Sequence, residues 1–178
     1  MAKATWKLDL VHSEVGFSVK HMMVSKAKGV FDKFDAVVEA DVDDLTDAKI
    51  EVTIDTTSIN TRNEDRDNHL RSADFFDVEN HPTMTFVAKD IKSKGGNKYD
   101  VTGDLTMRGT TKPVTLDVTF EGQSKDPMGG ATVAGFSGVT NISRKEFGLT
   151  WNAAVETGGV LVSDEVKIHF ELELHKAE

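Results

Sequence analysis

The sequence contains no cysteine, and only three of its 178 residues are proline. The absence of cysteine excludes disulfide bonds, thiolate catalysis and metal or iron–sulfur centres with cysteine ligands. The chain also has no long hydrophobic run, because its longest stretch without charge, residues 127–143, is rich in glycine, threonine and serine. Such a stretch is unsuited to the interior of a bilayer, so we predict no stable membrane insertion.

Basic residues are outnumbered by acidic ones, 21 against 30, which gives a formal net charge of −9. An acidic chain repels phosphates on average, so we predict no nucleic-acid partner. Residues 1–6 lead directly into alternating polar and apolar positions, without the apolar segment of a signal peptide, and we expect a cytoplasmic protein. The length and the 38% hydrophobic content predict one globular domain over residues 1–178.

The dominant period of the hydrophobic pattern is two residues, which is typical of half-buried antiparallel strands with one face in water. The longest alternating runs are residues 15–21, 50–55, 114–121 and 166–175, and shorter ones are residues 6–10, 34–42, 84–88 and 99–107. About eight strands with one apolar face must bury that face, and closing the sheet also removes its edges. The pattern therefore predicts an all-β fold, an extended antiparallel β-barrel, with a two-sheet sandwich as the alternative.

One segment departs from this period. Thr61 and Glu64 have the spacing of a capping box, which predicts a short helix from there to about Arg71. The apolar face of this predicted helix is narrow, because Leu70 is its one apolar residue. We expect the helix to lie over one end of the sheet, anchored by residues 75–76.

The sequence shows no pattern of an established catalytic or metal site: no HExxH pair, no GxSxG elbow and no phosphate-binding glycine loop. We therefore predict neither catalytic residues nor a metal site. His21 shares the inward parity of Val15 and Phe17, either as a hydrogen-bonded core imidazole or as a polar handle in a cavity. Arg66 and Arg144 are candidates either for pairing with a carboxylate or for holding a phosphate or carbonyl oxygen at the mouth of a cavity.

Several motifs together resemble the YceI-like family. They are HSEVGFSVKHM at residues 12–22, INTRNEDRDNHLRSADFF at 59–76, HPTMTF at 81–86, GDLTMRG at 103–109 and NISRKEFGL at 141–149. The resemblance covers nearly the whole chain in order. It implies a lipocalin-like barrel with an apolar cavity that binds polyisoprenoid lipids such as prenyl quinones or polyprenyl phosphates. Many family members carry a signal peptide and work in the periplasm, and we expect this chain to depart from them in that respect.

The sequence and the resemblance together give a candidate binding site. The predicted apolar wall is Phe17, Val19, Met22, Phe31, Phe34, Ile54, Phe86, Met107, Phe136, Ile142 and Trp151. The predicted contacts to a polar head are His21, Asn60, Arg66 and Arg144. The same apolar residues would form an ordinary core if the barrel were filled.

The leading hypothesis is binding, storage or transport of an isoprenoid lipid without catalysis, and no cofactor beyond such a lipid is expected. One alternative is an enzyme that modifies this lipid, with His21 as acid or base. Another is a structural module with a filled barrel that pairs into dimers. A homodimer is compatible with all three.

Overall fold

The computed structural model describes residues 3–22, 24–152 and 162–177. These residues form eleven strands and one α-helix, α1, at Glu64–Arg71. The strands are β1 Ala4–Leu8, β2 Glu14–His21, β3 Ser25–Phe31, β4 Phe34–Asp41, β5 Asp44–Asp55, β6 Ile59–Asn60, β7 Thr83–Gly95, β8 Lys98–Met107, β9 Thr110–Lys125, β10 Thr132–Ser143 and β11 Val162–Lys176. Short 3₁₀ turns cover Leu10–His12, Thr56–Ser58 and Arg144–Phe147.

Eight of the strands close into an antiparallel barrel. The order around the ring is β1, β4, β5, β7, β8, β9, β10 and β11, and β11 pairs with β1 again. This confirms the predicted all-β barrel and rules out the two-sheet sandwich. Among the described residues, no helix combines the length and the apolar character that a membrane-spanning helix requires.

The last strand has three partners. One edge of β11 pairs with β10 along its length. On the other edge, residues 166–171 pair with β2, and residues 174–176 pair with β1. β2 in turn pairs with β3, and β3 pairs with β6. The short strand β1 thus closes the ring at one end, and β2 and β3 widen the wall at the other.

A cluster of buried side chains fills the barrel at the end that β1 closes. Its members are Trp6, Ala36, Val38, Ala40, Leu45, Ala134 and Leu174. The Trp6 indole is 3% exposed and donates a hydrogen bond to the carbonyl of Ala40 at 3.2 Å. Below, we call this group the apolar plug.

The opposite end is covered by α1 and the turn that follows it, where Phe75 and Phe76 are buried as expected. The helix begins differently from the prediction. Asn63 is the N-cap, because its side chain accepts the amide of Arg66 at 3.0 Å, whereas the hydroxyl of Thr61 donates to the buried carboxylate of Asp67. The prediction of a capping box at Thr61 was therefore wrong, because the Thr61 hydroxyl binds Asp67 instead of a helix amide.

Two aromatic rings lie over cross-strand glycines of the inner wall. A Cβ added at Gly138 would lie 2.2 Å from the Phe170 ring, and one at Gly29 would lie 2.6 Å from the Phe17 ring. Real Cβ atoms do not approach so closely. Glycine at these positions therefore lets both rings lie along the wall rather than across the lumen.

We predict that Gly138→Ala destabilises the fold by about 1–3 kcal/mol, because the new methyl group must displace Phe170 in a packed wall. Gly135→Ala is the matched control on the same strand, since a Cβ there meets its nearest neighbour at an ordinary 3.5 Å. Urea unfolding of both variants measures the difference. Equal unfolding free energies would show that Phe170 does not need the glycine.

Candidate functional site

A cavity of about 220 Å³ lies inside the barrel, between the apolar plug and the segment that follows α1. Among the described residues, the atoms exposed to the cavity are apolar, although the polar residues Tyr99, Thr140 and Arg144 belong to its wall. Inward residues of the ring strands form most of the wall, and β2 and β3 complete it. At the covered end, Leu70, Phe75, Phe76 and Leu149 contribute to the lining.

The structure places most of the predicted wall residues around this cavity. Those that line it are Phe17, Val19, Phe31, Ile54, Phe86, Met107, Phe136 and Ile142. Three others lie outside the lining: Met22 is 46% exposed, Phe34 is buried in the core, and Trp151 packs against His69 and Phe75. Contact of any of them with a ligand stays a prediction.

The candidate site omitted several inward residues that line the cavity. They include Val114, Leu116, Ile168, Phe170 and Leu172, all at inward positions of β9 and β11. The alternating pattern of these two strands was the signal that could have found them. Tyr99 also lines the cavity, as an inward residue of β8.

Arg144 is the one predicted head-group residue that belongs to the cavity wall. It is 3% exposed, and its guanidinium donates to four backbone carbonyls. Nε donates to the carbonyl of Ser163 at 2.9 Å, and Nη2 donates to that of Val162 at 3.1 Å. Nη1 donates to the carbonyls of Leu149 at 2.6 Å and Trp151 at 2.9 Å. Four of its five N–H donors are thus engaged by the protein, and Arg144 joins the 149–151 segment to the start of β11.

Among the described residues, no carboxylate forms a direct ion pair with Arg144, whose hydrogen-bond partners are backbone carbonyls. Burial lowers the pKa of the guanidinium, and the negative charge of Asp164 acts in the opposite direction. Burial alone would raise the pKa of Asp164, but hydrogen bonds from the Ser143 hydroxyl at 2.5 Å and the Lys145 amide at 3.0 Å hold it below its usual value. A fixed positive charge therefore lies in the wall of an otherwise apolar cavity.

The other three predicted head-group residues lie away from the cavity lining. His21 is half-buried at the end of β2, beyond the inward residues Val15, Phe17 and Val19. Asn60 is exposed and donates to the carboxylate of Asp32 at 3.2 Å. Arg66 is exposed and donates to the hydroxyl and carbonyl of Thr61, both at 2.8 Å. The structure does not bring these four residues together.

Arg108, which the site prediction did not include, holds the covered end. It follows β8 at a positive φ of 51° and donates to two carbonyls, Ala73 at 2.8 Å and Gly148. These carbonyls belong to the turn after α1 and to the turn after residue 147, which both lie over the cavity. Sequence patterns offer no signal for such a contact, because its partners are 35 and 40 residues away.

An antiparallel barrel closed around an apolar cavity defines the class of lipocalin-like barrels. Within it, the chain belongs to the YceI-like family, since the model of the YceI-like domain matches residues 6–174. This confirms the resemblance seen in the sequence. A UPF0312 protein of Staphylococcus epidermidis is 47% identical over 168 residues, covering 94% of this chain and 95% of its own. A UPF0312 protein of Staphylococcus aureus is 44% identical over 170 residues and 96% of each chain.

Solved structures have the same fold. The chain is similar to BcnA of Burkholderia cenocepacia, with a TM-score of 0.82, 32% identity and coverage of 93% of this chain and 98% of that one. The YceI protein of Campylobacter jejuni gives a TM-score of 0.77, 34% identity and coverage of 89% and 90%. A polyisoprenoid binding domain from Saccharophagus degradans, 15% identical, shares the fold with a TM-score of 0.75 over 98% and 99% of the two chains.

We predict that Arg144→Met lowers the free energy of unfolding by at least about 3 kcal/mol, because it leaves buried carbonyls without donors. Arg144→Lys should fall between this variant and the wild type, since an ammonium reaches fewer of the four carbonyls. Arg66→Met, which removes an exposed guanidinium, is the control and should cost about 1 kcal/mol or less. Chemical denaturation measures all three, and equal losses for Arg144→Met and Arg66→Met would contradict the assignment.

We also predict that the free energy of unfolding depends on pH through the ionisation of Asp164. Its folded pKa lies below the unfolded value of 3.8, so the folded state resists protonation. The stability it contributes is fully present above about 3.8 and is lost as the pH falls through the folded value. Unfolding of Asp164→Asn should therefore depend less on pH in this acidic range than unfolding of the wild type. Glu165→Gln, which removes the neighbouring exposed carboxylate, is the matched control, and denaturation at several pH values measures all three proteins.

Proposed function

We propose that this protein binds an isoprenoid lipid of the prenyl quinone or polyprenyl phosphate type and stores or carries it without changing it chemically. The observation that carries the proposal is the apolar cavity of about 220 Å³ inside the closed barrel. The shared fold of the Saccharophagus degradans domain, which is described as polyisoprenoid binding, supports the same ligand class.

The volume of the cavity suits a chain of moderate length. A cavity needs about 10–15 Å³ for each water that it holds, so this one has room for roughly 15–20 groups of that size. The carbon groups of an alkyl chain are similar in size, which corresponds to about three or four isoprene units. Each CH₂ group that leaves water contributes about 0.8 kcal/mol, so burial alone is enough for strong binding.

The chemistry of the wall fits a branched, unsaturated chain. Phe17 and Phe170 lie over glycines and line the cavity, where their rings offer wide apolar contacts. Met84 and Met107, both lining the cavity, add flexible thioether side chains that adapt to methyl branches.

The polar head of the ligand lies, in this proposal, at the end that α1 covers. The apolar plug closes the other end, whereas the covered end contains Arg144 and the turns that Arg108 joins. Within the described residues, the bonds of Arg144 to carbonyls use four of its five N–H groups. Its charge attracts a phosphate or a quinone oxygen at this end of the cavity.

The alternative of an enzyme has less support. Among the described residues, the polar side chains that line the cavity belong to Tyr99, Thr140 and Arg144, and they do not form a nucleophile with its base. His21, the proposed acid or base, lies outside the lining. The single domain over residues 1–178, the cytoplasmic location and the homodimer stay predictions.

We predict that Leu116→Trp weakens lipid binding at least tenfold, because the larger side chain occupies the space that the ligand needs. Thr115→Trp is the matched control, since Thr115 directly precedes Leu116 in β9 and its side chain is exposed on the outer face. Binding of an added prenyl quinone or farnesyl phosphate is measured by tryptophan fluorescence, and the thermal unfolding midpoint checks that both variants fold.

Native mass spectrometry and solvent extraction of the purified wild type provide the second test. We expect a bound lipid, and we expect an added lipid to be recovered unchanged after incubation. A protein that is purified empty and takes up neither ligand contradicts the proposal. A chemically altered lipid favours the enzyme.

A further inference from the structure

Four side chains that bind metals in other proteins meet on the outer surface of the barrel. Asp9 follows β1, His12 lies in the 3₁₀ turn after it, and Glu173 and His175 are outward residues of β11. They come from opposite ends of the sequence and meet because β1 closes the ring against β11. We call them the Asp9–His175 cluster.

The ligand atoms of the cluster form a closed cycle of short distances. Asp9 Oδ2 lies 2.8 Å from His12 Nδ1 and 3.1 Å from His175 Nε2. Glu173 Oε2 lies 3.2 Å from His175 Nε2 and 3.4 Å from His12 Nδ1. Each carboxylate oxygen thus faces both imidazoles.

The four distances lie close to the edge length of a zinc coordination tetrahedron, and the ligand atoms of Asp9, Glu173 and His175 all lie within 4.8 Å of one another. With metal–ligand bonds of about 2.0–2.1 Å, neighbouring ligand atoms are about 3.3 Å apart. We propose that Asp9, His12, Glu173 and His175 form a binding site for a divalent transition metal ion, with Zn²⁺ as its best-suited occupant. This site is additional to the lipid cavity, and none of its four residues lines that cavity.

The backbone around the cluster holds its ligands in place before any ion binds. The second oxygen of Asp9, Oδ1, accepts the amides of Val11 at 3.0 Å and His12 at 3.4 Å. The amide of Asp9 donates to the carbonyl of Glu173 at 2.9 Å, and the Ser13 hydroxyl accepts the amide of Glu173 at 2.9 Å. Such outer hydrogen bonds orient the carboxylate ligand and fix the position of the backbone that carries both carboxylates.

The donor set selects the class of metal. Two imidazole nitrogens and two carboxylate oxygens suit Zn²⁺, whereas Mg²⁺ and Ca²⁺ prefer oxygen ligands alone. The side chains of Asp9, Glu173 and His175 are 20%, 33% and 32% exposed, so the site is partly shielded yet open to solvent. An ion bound there connects the turn after β1 to β11 and strengthens the closure of the barrel.

The test uses the full-length, tag-free protein and measures Zn²⁺ binding by isothermal titration calorimetry. We expect a single site whose affinity falls at least tenfold in His175→Ala and in His12→Ala. His12 is 65% exposed at its side chain, so its removal leaves the fold intact even if His175→Ala unfolds. His169→Ala is the matched control, because His169 lies on the same outer face of β11 but outside the cluster.

Two further readouts separate a metal site from a cluster of hydrogen bonds. Zn²⁺ should raise the midpoint of thermal unfolding of the wild type and of His169→Ala, but not of His12→Ala, and Mg²⁺ should not raise it in any of them. Co²⁺ should give the intense visible absorption of tetrahedral coordination. Equal Zn²⁺ affinity in all four proteins, or no binding by the wild type, overturns the proposal and leaves the proposed lipid binding unaffected.

Discussion

The pairing of β1 with the last residues of β11 is the contact on which the rest of the structure depends. Register pairs such as Trp6 with Lys176 and Leu8 with Leu174 join the first and the last strand of the chain. Without this contact, the sheet would have two open edges, and its apolar face would lie in water. Because the ring closes, the apolar inward side chains face one another across its interior. The closure also requires a long β11, because one edge of this strand pairs with both β1 and β2.

The closed ring divides its interior into a filled part and a hollow part. At the end of β1, Trp6 and small residues such as Ala40 and Ala134 pack into the apolar plug. Towards α1, the wall carries larger rings that lie along the strands, and the cavity remains between them. Two arginines hold the covering segments through backbone carbonyls: Arg144 contacts four of them, and Arg108 contacts two. The positive charge of Arg144 is thereby kept beside an apolar cavity, and within the described part of the chain it has carbonyl partners rather than a direct ion pair.

Much of this arrangement could be predicted, because the side chains of a strand alternate strictly between its two faces. Along β11, Ile168, Phe170 and Leu172 line the cavity, whereas His169 and Glu173 lie on the outer face. Strand β3 was not predicted, because its inward residues Ala27 and Gly29 are small and carry almost no hydrophobic signal. Gly29 is small because the ring of Phe17 covers it, and that contact comes from another strand. The prediction that Thr61 caps the helix failed for a related reason, since its hydroxyl binds Asp67 instead.

The sequence by itself determined which side chains point inward along the clearly alternating strands and to which family the chain belongs, since these follow from local alternation and from motifs in order. Only the tertiary structure decided that the inward faces enclose a cavity, because that depends on how many strands close and on which rings lie over glycines of the wall. It also decided the partners of Arg144, which are backbone carbonyls and carry no sequence signal. Asp9 and His175 are 166 residues apart, and only the closure of the ring brings their side chains within 3.1 Å.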